Sequence, residues 1–444
     1  MIEILLESLK QFPSDRSIFY TSSGEKSIAS ILDTAIRFRE NQFSEVRGKR
    51  VSLLCADVLT YIECLISLDG WASDIVLLDA SIAPELLQSF EEKADVEQRI
   101  VAADVIPELA SLGRSDGSVS NSEQTSWIIP TSGTTGTPKL ISHTLSSLTK
   151  SVKGPSPKSS DFRWGLLYDP TRFAGLQVML QSVLGGSSLI LPDDWRDLEA
   201  AVRVFEQQGC NALSATPSLW RKLAISGRLQ ELNFKLITLG GEAPDQKILD
   251  LLRQAYPDAL LRHIYASTEA GVGFSVADGK IGFPASFLET PPQGISLRVK
   301  EDGMLMLKPS NLEQIILSKN ASLQDEEGWI ESGDLVEKTG DRYEFLGRLN
   351  GAINVGGQKV HPTSIENVIT DVEGVAAVRA YGQPSSILGN LVAVEIELAS
   401  GYDQAVLKNA VKEICLTRLS RFQRPAVVEI VDQITLTNTG KIKR

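Results

Sequence analysis

The chain has 444 residues, with 44 Lys and Arg against 56 Asp and Glu, a formal charge of −12. At about 150 residues per domain this length allows two or three domains, and 42% hydrophobic with 23% charged residues is globular composition, not disordered or fibrous. An acidic chain without a basic block argues against nucleic acid and against a membrane as partners, since both need clustered Lys and Arg. Small-molecule chemistry is the expectation.

The four cysteines, Cys55, Cys64, Cys210 and Cys415, form no CxxC pair. His143, His263 and His361 form no HExxH, so no structural zinc is expected. Scattered thiols suit a reducing, cytoplasmic setting, where they serve as small core residues.

In chain order, Ile2, Leu5, Leu6 and Leu9 among Glu3 and Glu7 have helical amphipathic spacing. The segment lacks a signal peptide's basic start and reads as a surface helix. From Arg50 the pattern alternates: Val51 to Leu54, Tyr61 to Leu68, Ile75 to Leu78, then a helix near Pro84 to Glu92. Such β-α-β-α order predicts parallel sheets covered by helices. Ser111 to Ser126 is polar and reads as a loop before the strand Trp127 to Ile129. Ser151 to Asp161 reads as a flexible connector. Phe173 to Pro192 carries Gln177, Gln181, Gly185 and Gly186, which suit a buried helix, a turn and a strand better than a membrane span. Further βα units are expected around Ser188 to Leu191, Ala212 to Ala215 and Leu236 to Leu239.

After about Leu346 the texture changes to hairpin-like strands and two helices over the remaining ~95 residues, a domain-sized stretch. The boundary is expected near Arg348 to Gly351, giving a large domain of 1–347 and a small α+β domain of 348–444. Thr363 and Glu366 have capping-box spacing after Pro362, which makes Glu366 a helix cap.

Behind the strand at Trp127 comes Thr131-Ser132-Gly133-Thr134-Thr135-Gly136-Thr137-Pro138-Lys139. Glycines let backbone N–H groups converge on an anion, hydroxyls add donors and Lys139 adds charge, so phosphate suits this loop. It is not a Walker loop: two residues, not four, separate Gly133 from Gly136, and Leu140 follows the lysine. Alone, it could also be a polar surface turn, the less favoured of the two.

The string resembles the phosphate loop of the adenylate-forming superfamily: acyl-CoA synthetases, luciferases and peptide-synthetase adenylation domains. Further segments resemble that family in the same order. These are Gly240-Gly241-Glu242, Tyr265-Ala266-Ser267-Thr268-Glu269, Glu331-Ser332-Gly333-Asp334-Leu335, Gly347-Arg348, Asn354 through Pro362, and Thr439-Gly440-Lys441-Ile442-Lys443.

The resemblance implies an α/β fold with a large domain of parallel-rich sheets and a small mobile lid. It implies a two-step ligase: a carboxylate attacks the α-phosphorus of ATP, pyrophosphate leaves, and a second nucleophile attacks the acyl-adenylate. It assigns phosphate contact to Thr131, Ser132, Gly133, Thr134, Thr135, Gly136 and Lys139, magnesium to Glu269, and the α-phosphate to Thr268. Nucleotide contact falls to Gly240, Gly241, Glu242, Tyr265 (against adenine), Ala266, Ser267, Asp334 (at the ribose) and Arg348. Lys441 is the implied catalytic cation. Read singly, Tyr265 could be core, Glu269 a cap, Asp334 a turn residue, Arg348 a surface ion pair and Lys441 a solvated terminal lysine.

By the same resemblance Phe173, Ser214 to Thr216, Gly240, Gly241 and Ala266 to Val272, with Gly271, line the acid pocket, whose small residues favour an aromatic or extended acyl group. The family's Asp or Lys hinge is here Asn350. Arg172 replaces a gating histidine and could pair with a neighbouring acid or contact the substrate. Gly356 and Gly357 would border the thiol channel. The implied acceptor is coenzyme A, with a phosphopantetheine carrier protein or an amine as alternatives. Other readings are a non-catalytic nucleotide-binding regulator and a phosphotransferase releasing ADP. A monomer or homodimer is expected.

Overall fold

The computed structural model describes residues 4–105, 124–131, 139–292, 295–310, 315–316, 323–385, 389–437 and 440–443. Ser132 to Pro138, Thr439 and most of the polar loop before Trp127 lie outside the described residues.

Among the described residues four sheets form. The largest, eight-stranded, runs Gly271–Val276, Leu260–Ser267, Leu236–Gly240, Ala212–Ala215, Arg163–Gly165, Ser188–Ile190, Ser17–Thr21 and Gly24–Ser27. Its six inner strands are parallel and both edges antiparallel. A second sheet joins Arg50–Cys55, Asp74–Asp79, Gln98–Val101 and Ser126–Pro130 in parallel, with Leu140–His143 added antiparallel. The βα alternation thus becomes the parallel-rich core expected, with helices at Val58–Leu68, Pro84–Lys93 and Phe173–Leu184. No helix among the described residues is long and apolar enough to cross a membrane.

The third sheet differs from the parallel expectation. Phe283–Pro284, Ile295–Val299, Met304–Pro309, Ile330–Thr339 and Arg342–Arg348 form an antiparallel sheet. Its first hairpin turns through Lys300-Glu301-Asp302-Gly303, a turn signal between two short apolar runs. The fourth sheet collects Ile353–Val355, Gln358–Val360, Val375–Ser385, Gly389–Leu398 and Val427–Val431 around its own apolar cluster, covered by helices at Pro362–Thr370 and Gln404–Arg418.

Three local expectations need correction. The N-terminal helix, Leu5–Leu9, is docked rather than loosely superficial: all three leucines are buried and Leu5 N donates to Asp69 Oδ2 at 2.6 Å. The 151–161 connector is hydrogen-bonded to the Phe173–Leu184 helix through Gln177 and Gln181. Glu366 is no cap. Pro362 takes the first helical position, so Thr363 is already inside the helix, and Glu366 turns inward to accept from Ala380 N at 2.9 Å. All four cysteines are free and buried.

Candidate active site

The carboxyl ends of the parallel strands Ala212–Ala215, Leu236–Gly240 and Leu260–Ser267 border a cleft of about 1530 Å³. Open α/β sheets bind ligands at this edge. Thr131, Phe173, Ser214, Thr268, Glu269, Asp334 and Lys441, distant in sequence, all line it.

Lys441 arrives on a tight reversal of the tail. Thr437 N donates to Lys441 O at 2.7 Å, Lys443 N to Thr435 O at 3.0 Å, and Lys441 N to Thr437 Oγ1 at 3.2 Å. Both residues flanking the lysine are gripped by the large lobe. Thr216 caps the Pro217–Ile225 helix by accepting from Leu219 N, and donates its own hydroxyl hydrogen to Gly440 O at 2.6 Å. Glu242 Oε1 accepts from Ile442 N at 2.9 Å, while Oε2 accepts from Ser218 Oγ at 2.6 Å.

Gly241 makes room for the arrangement. Its φ is +83°, and a Cβ there would lie 3.1 Å from Lys441 Cε. Only glycine adopts that backbone cheaply and leaves the lysine its space. The cleft leaves Lys441 open to solvent. Even so, desolvation by the protein around its ammonium pushes the pKa below the ordinary lysine range, opposed by Glu242.

At the third sheet's edge, Asp334 Oδ2 accepts from the Tyr265 hydroxyl at 2.7 Å, and Oδ1 pairs with Arg348 Nε at 3.1 Å. Asp334 N is fixed by Ser332 Oγ at 3.0 Å. The Tyr265 ring lies nearly parallel to Phe274 and Phe345, at 5.1 and 5.2 Å between centroids. It is therefore an aromatic-stack member as well as a cleft residue. Ser267 Oγ accepts from Ala270 N at 3.0 Å, closing the turn that presents Thr268 and Glu269.

On the side of the cleft expected to take the acid, Tyr168 donates to Gly240 O at 3.1 Å beside Ser214, and Phe173 packs on the His143 ring. Arg172 donates through Nη1 to Pro130 O at 2.7 Å and lies 3.7 Å from Asp169. The neighbouring-acid reading of Arg172 is thus the one its contacts match. Thr216 holds the tail instead of lining the acid pocket, and Val272 rather than Gly271 faces the cleft.

Lys139 sits beside Thr131, whose amide donates to Lys139 O at 2.8 Å, but does not itself line the cleft. Asn350 lies in the short Leu349–Gly351 turn at the cleft's edge. Gly356 and Gly357 form the exposed tip of the Ile353–Val360 hairpin, outside the cleft in this arrangement. Sequence reasoning missed Ser218 and Tyr168. The Thr216-Pro217 pair signals a helix start, but nothing local reveals that its cap also reaches Gly440.

Residues 63–310 match the model of the AMP-binding enzyme family, and residues 364–441 that of the AMP-binding enzyme C-terminal domain. The chain belongs to the AMP-binding enzyme family: it is an AMP-forming ligase that activates a carboxylic acid. It is 28% identical over 340 residues to 2-succinylbenzoate–CoA ligase of Listeria innocua, covering 72% of this chain and 69% of that one. Two solved structures share the fold: the anthranilate CoA ligase AuaEII with anthranoyl-AMP (TM-score 0.79, 16% identity, 99% and 96% of the two chains) and the Bacillus subtilis o-succinylbenzoate CoA synthetase with ATP and magnesium (TM-score 0.76, 17% identity, 99% and 98%).

Proposed function

We propose that the enzyme joins a carboxylic acid, aromatic by preference, to coenzyme A through an acyl-adenylate. The observation that carries this reading is Lys441, gripped on both sides, entering a cleft shared with Glu269 and Asp334. A carboxylate approaching a triphosphate meets like-charge repulsion, so in-line attack needs positioning and cations at the developing charge. Lys441 is suited to that position.

In this reading Thr131 and the loop that follows it hold the β- and γ-phosphates, with Lys139 adding charge from outside the cleft lining, and Thr268 contacts the α-phosphate. Asp334 keeps a second lone pair on each carboxylate oxygen for the ribose hydroxyls after serving Tyr265 and Arg348. Glu269 fits magnesium. No cluster of three metal-ligating side chains exists among the described residues, and magnesium characteristically takes one or two carboxylates with substrate phosphates completing its shell. When bound, the ion neutralises phosphate charge.

The second step needs Lys441 to withdraw. Release of the Gly440 and Ile442 contacts frees the small lobe to turn at Asn350 and bring the Gly356–Gly357 hairpin toward the acyl carbonyl. The thiol sulfur then attacks that carbonyl and AMP leaves. The cytoplasm is the proposed compartment.

A panel of carboxylic acids incubated with ATP and magnesium, with and without coenzyme A, tests the reading. Acid-dependent AMP, a new thioester when coenzyme A is present, and loss of both with EDTA are expected. ADP as product, or no acid dependence, would overturn it.

A further inference from the structure

The Gly440 and Ile442 contacts fix the tail, but the body of the small lobe is held elsewhere. Lys247 lies in the first turn of the large lobe's Gln246–Ala255 helix, behind its cap Asp245, which accepts from Ile248 N at 3.1 Å. A cation is disfavoured there, because the start of a helix carries partial positive charge. Lys247 instead serves another helix. Its ammonium donates to Thr370 O at 3.1 Å and lies 3.5 Å from Val372 O, at the end of the small lobe's Pro362–Thr370 helix. That end is partially negative and has no basic residue in its own last turn. The cation it lacks comes from the other lobe.

The charges along this seam are complementary as well. Desolvation and the like charge of Arg221 lower the Lys247 pKa, and Asp371 and Glu373 of the small lobe oppose them. On the Pro217–Ile225 helix, desolvation lowers the Lys222 pKa and Glu397 of the small lobe opposes it. Large-lobe cations thus face small-lobe acids. Lys247 is exposed and does not line the cleft, so it acts on the reacting groups only through the docking of the lobes. An exposed contact between charges weakens as salt screens it.

Resting on the ligase reading above, we propose that Lys247 is a positioning residue that latches the small lobe in the arrangement admitting Lys441, and that this latch sets the balance between the two half-reactions. Closed, it keeps Lys441 in the cleft for adenylation. It must open before the small lobe turns for thioester formation, so a weaker latch favours the second step at the expense of the first. Salt shifts the same balance, because the contact is open to water.

The test uses the best acid of the panel above and its synthetic adenylate, and measures two rates at low salt and at about 0.3 M NaCl. One is acid-dependent pyrophosphate exchange, the other conversion of the supplied adenylate and coenzyme A to thioester. The ratio of the first to the second is compared in wild type, Lys247→Arg, Lys247→Met and Lys247→Glu. A charge at a helix C-terminus predicts a ratio about 2–5-fold lower in Lys247→Met at low salt. It should be lower still in Lys247→Glu, which Asp371 and Glu373 repel, and close to wild type in Lys247→Arg. Salt should bring the wild-type ratio toward that of Lys247→Met, whose own ratio changes less. A parallel fall of both rates in Lys247→Met, an unchanged ratio, or equal salt dependence in wild type and Lys247→Met overturns the latch alone. Pyrophosphate exchange with no acid present overturns the ligase reading and the latch with it.

Discussion

Ile442 N–H and Glu242 Oε1, 200 residues apart in the chain, meet at 2.9 Å and tie the tail to the large lobe beside Lys441. The same carboxylate is braced by Ser218 through Oε2. Removing a charged acceptor of this kind costs ~1.5–3 kcal/mol, or about 10–100-fold in rate. Glu242→Ala should therefore slow acid-dependent pyrophosphate exchange by that factor. Conversion of a supplied acyl-adenylate, which needs the tail released, should hold or rise. A parallel fall in both half-reactions would reduce Glu242 to a folding role.

Lys441→Ala should cost the first half-reaction more, about 3–4 kcal/mol or several hundred-fold, as for loss of one well-placed electrostatic group. The thioester-forming step should remain. Because desolvation lowers the Lys441 pKa, its cationic form is lost at a lower pH than an ordinary lysine's. The adenylation rate should fall off correspondingly early on the alkaline side, and Lys441→Arg, permanently charged, should move that limb upward. Rate against pH for each half-reaction measures both effects.

Arg172 donates to the carbonyl of Pro130, one residue before Thr131 and the loop proposed to hold phosphate. Arg172→Leu should thus raise the KM for ATP several-fold, about 1 kcal/mol for one lost hydrogen bond, with little change in the KM for the acid. The reverse pattern would point to direct acid contact.

Away from the cleft, Glu63 is 8% exposed and one of its carboxylate oxygens has no partner among the described residues. Burial raises its pKa to about 7, with Lys26 opposing. A carboxyl whose folded pKa exceeds its unfolded value favours the fold at low pH, and that advantage disappears as pH climbs from about 4.5 through about 7, a swing of up to ~3 kcal/mol. Glu63→Gln removes the swing. Its Tm difference from wild type should become more favourable between pH 5 and pH 8, and a constant difference would contradict the assignment.

Local chemistry made much of this protein readable. The βα alternation gives the parallel sheets, and the resemblance of short segments to the adenylate-forming superfamily points to Thr268, Glu269, Asp334 and Lys441, which the fold brings to one cleft. What stayed hidden depends on pairings across long stretches of chain. Thr216 looks like a helix cap and is one, but its second bond, to Gly440, belongs to a different lobe. Glu366 had the right spacing for a cap, and the buried amide of Ala380 claimed it instead. Arg262 and Thr238 become neighbours only through strand register, which no local pattern fixes.

The four buried cysteines have a practical corollary. Burial raises every one of these thiols above its usual pKa, Cys210 to about 12 and Cys415 to about 11, so the protein offers little thiolate to an electrophile. An aromatic disulfide reagent that colours on reaction with free sulfhydryls, added to samples withdrawn at intervals, should therefore report the coenzyme A remaining against a nearly silent protein background.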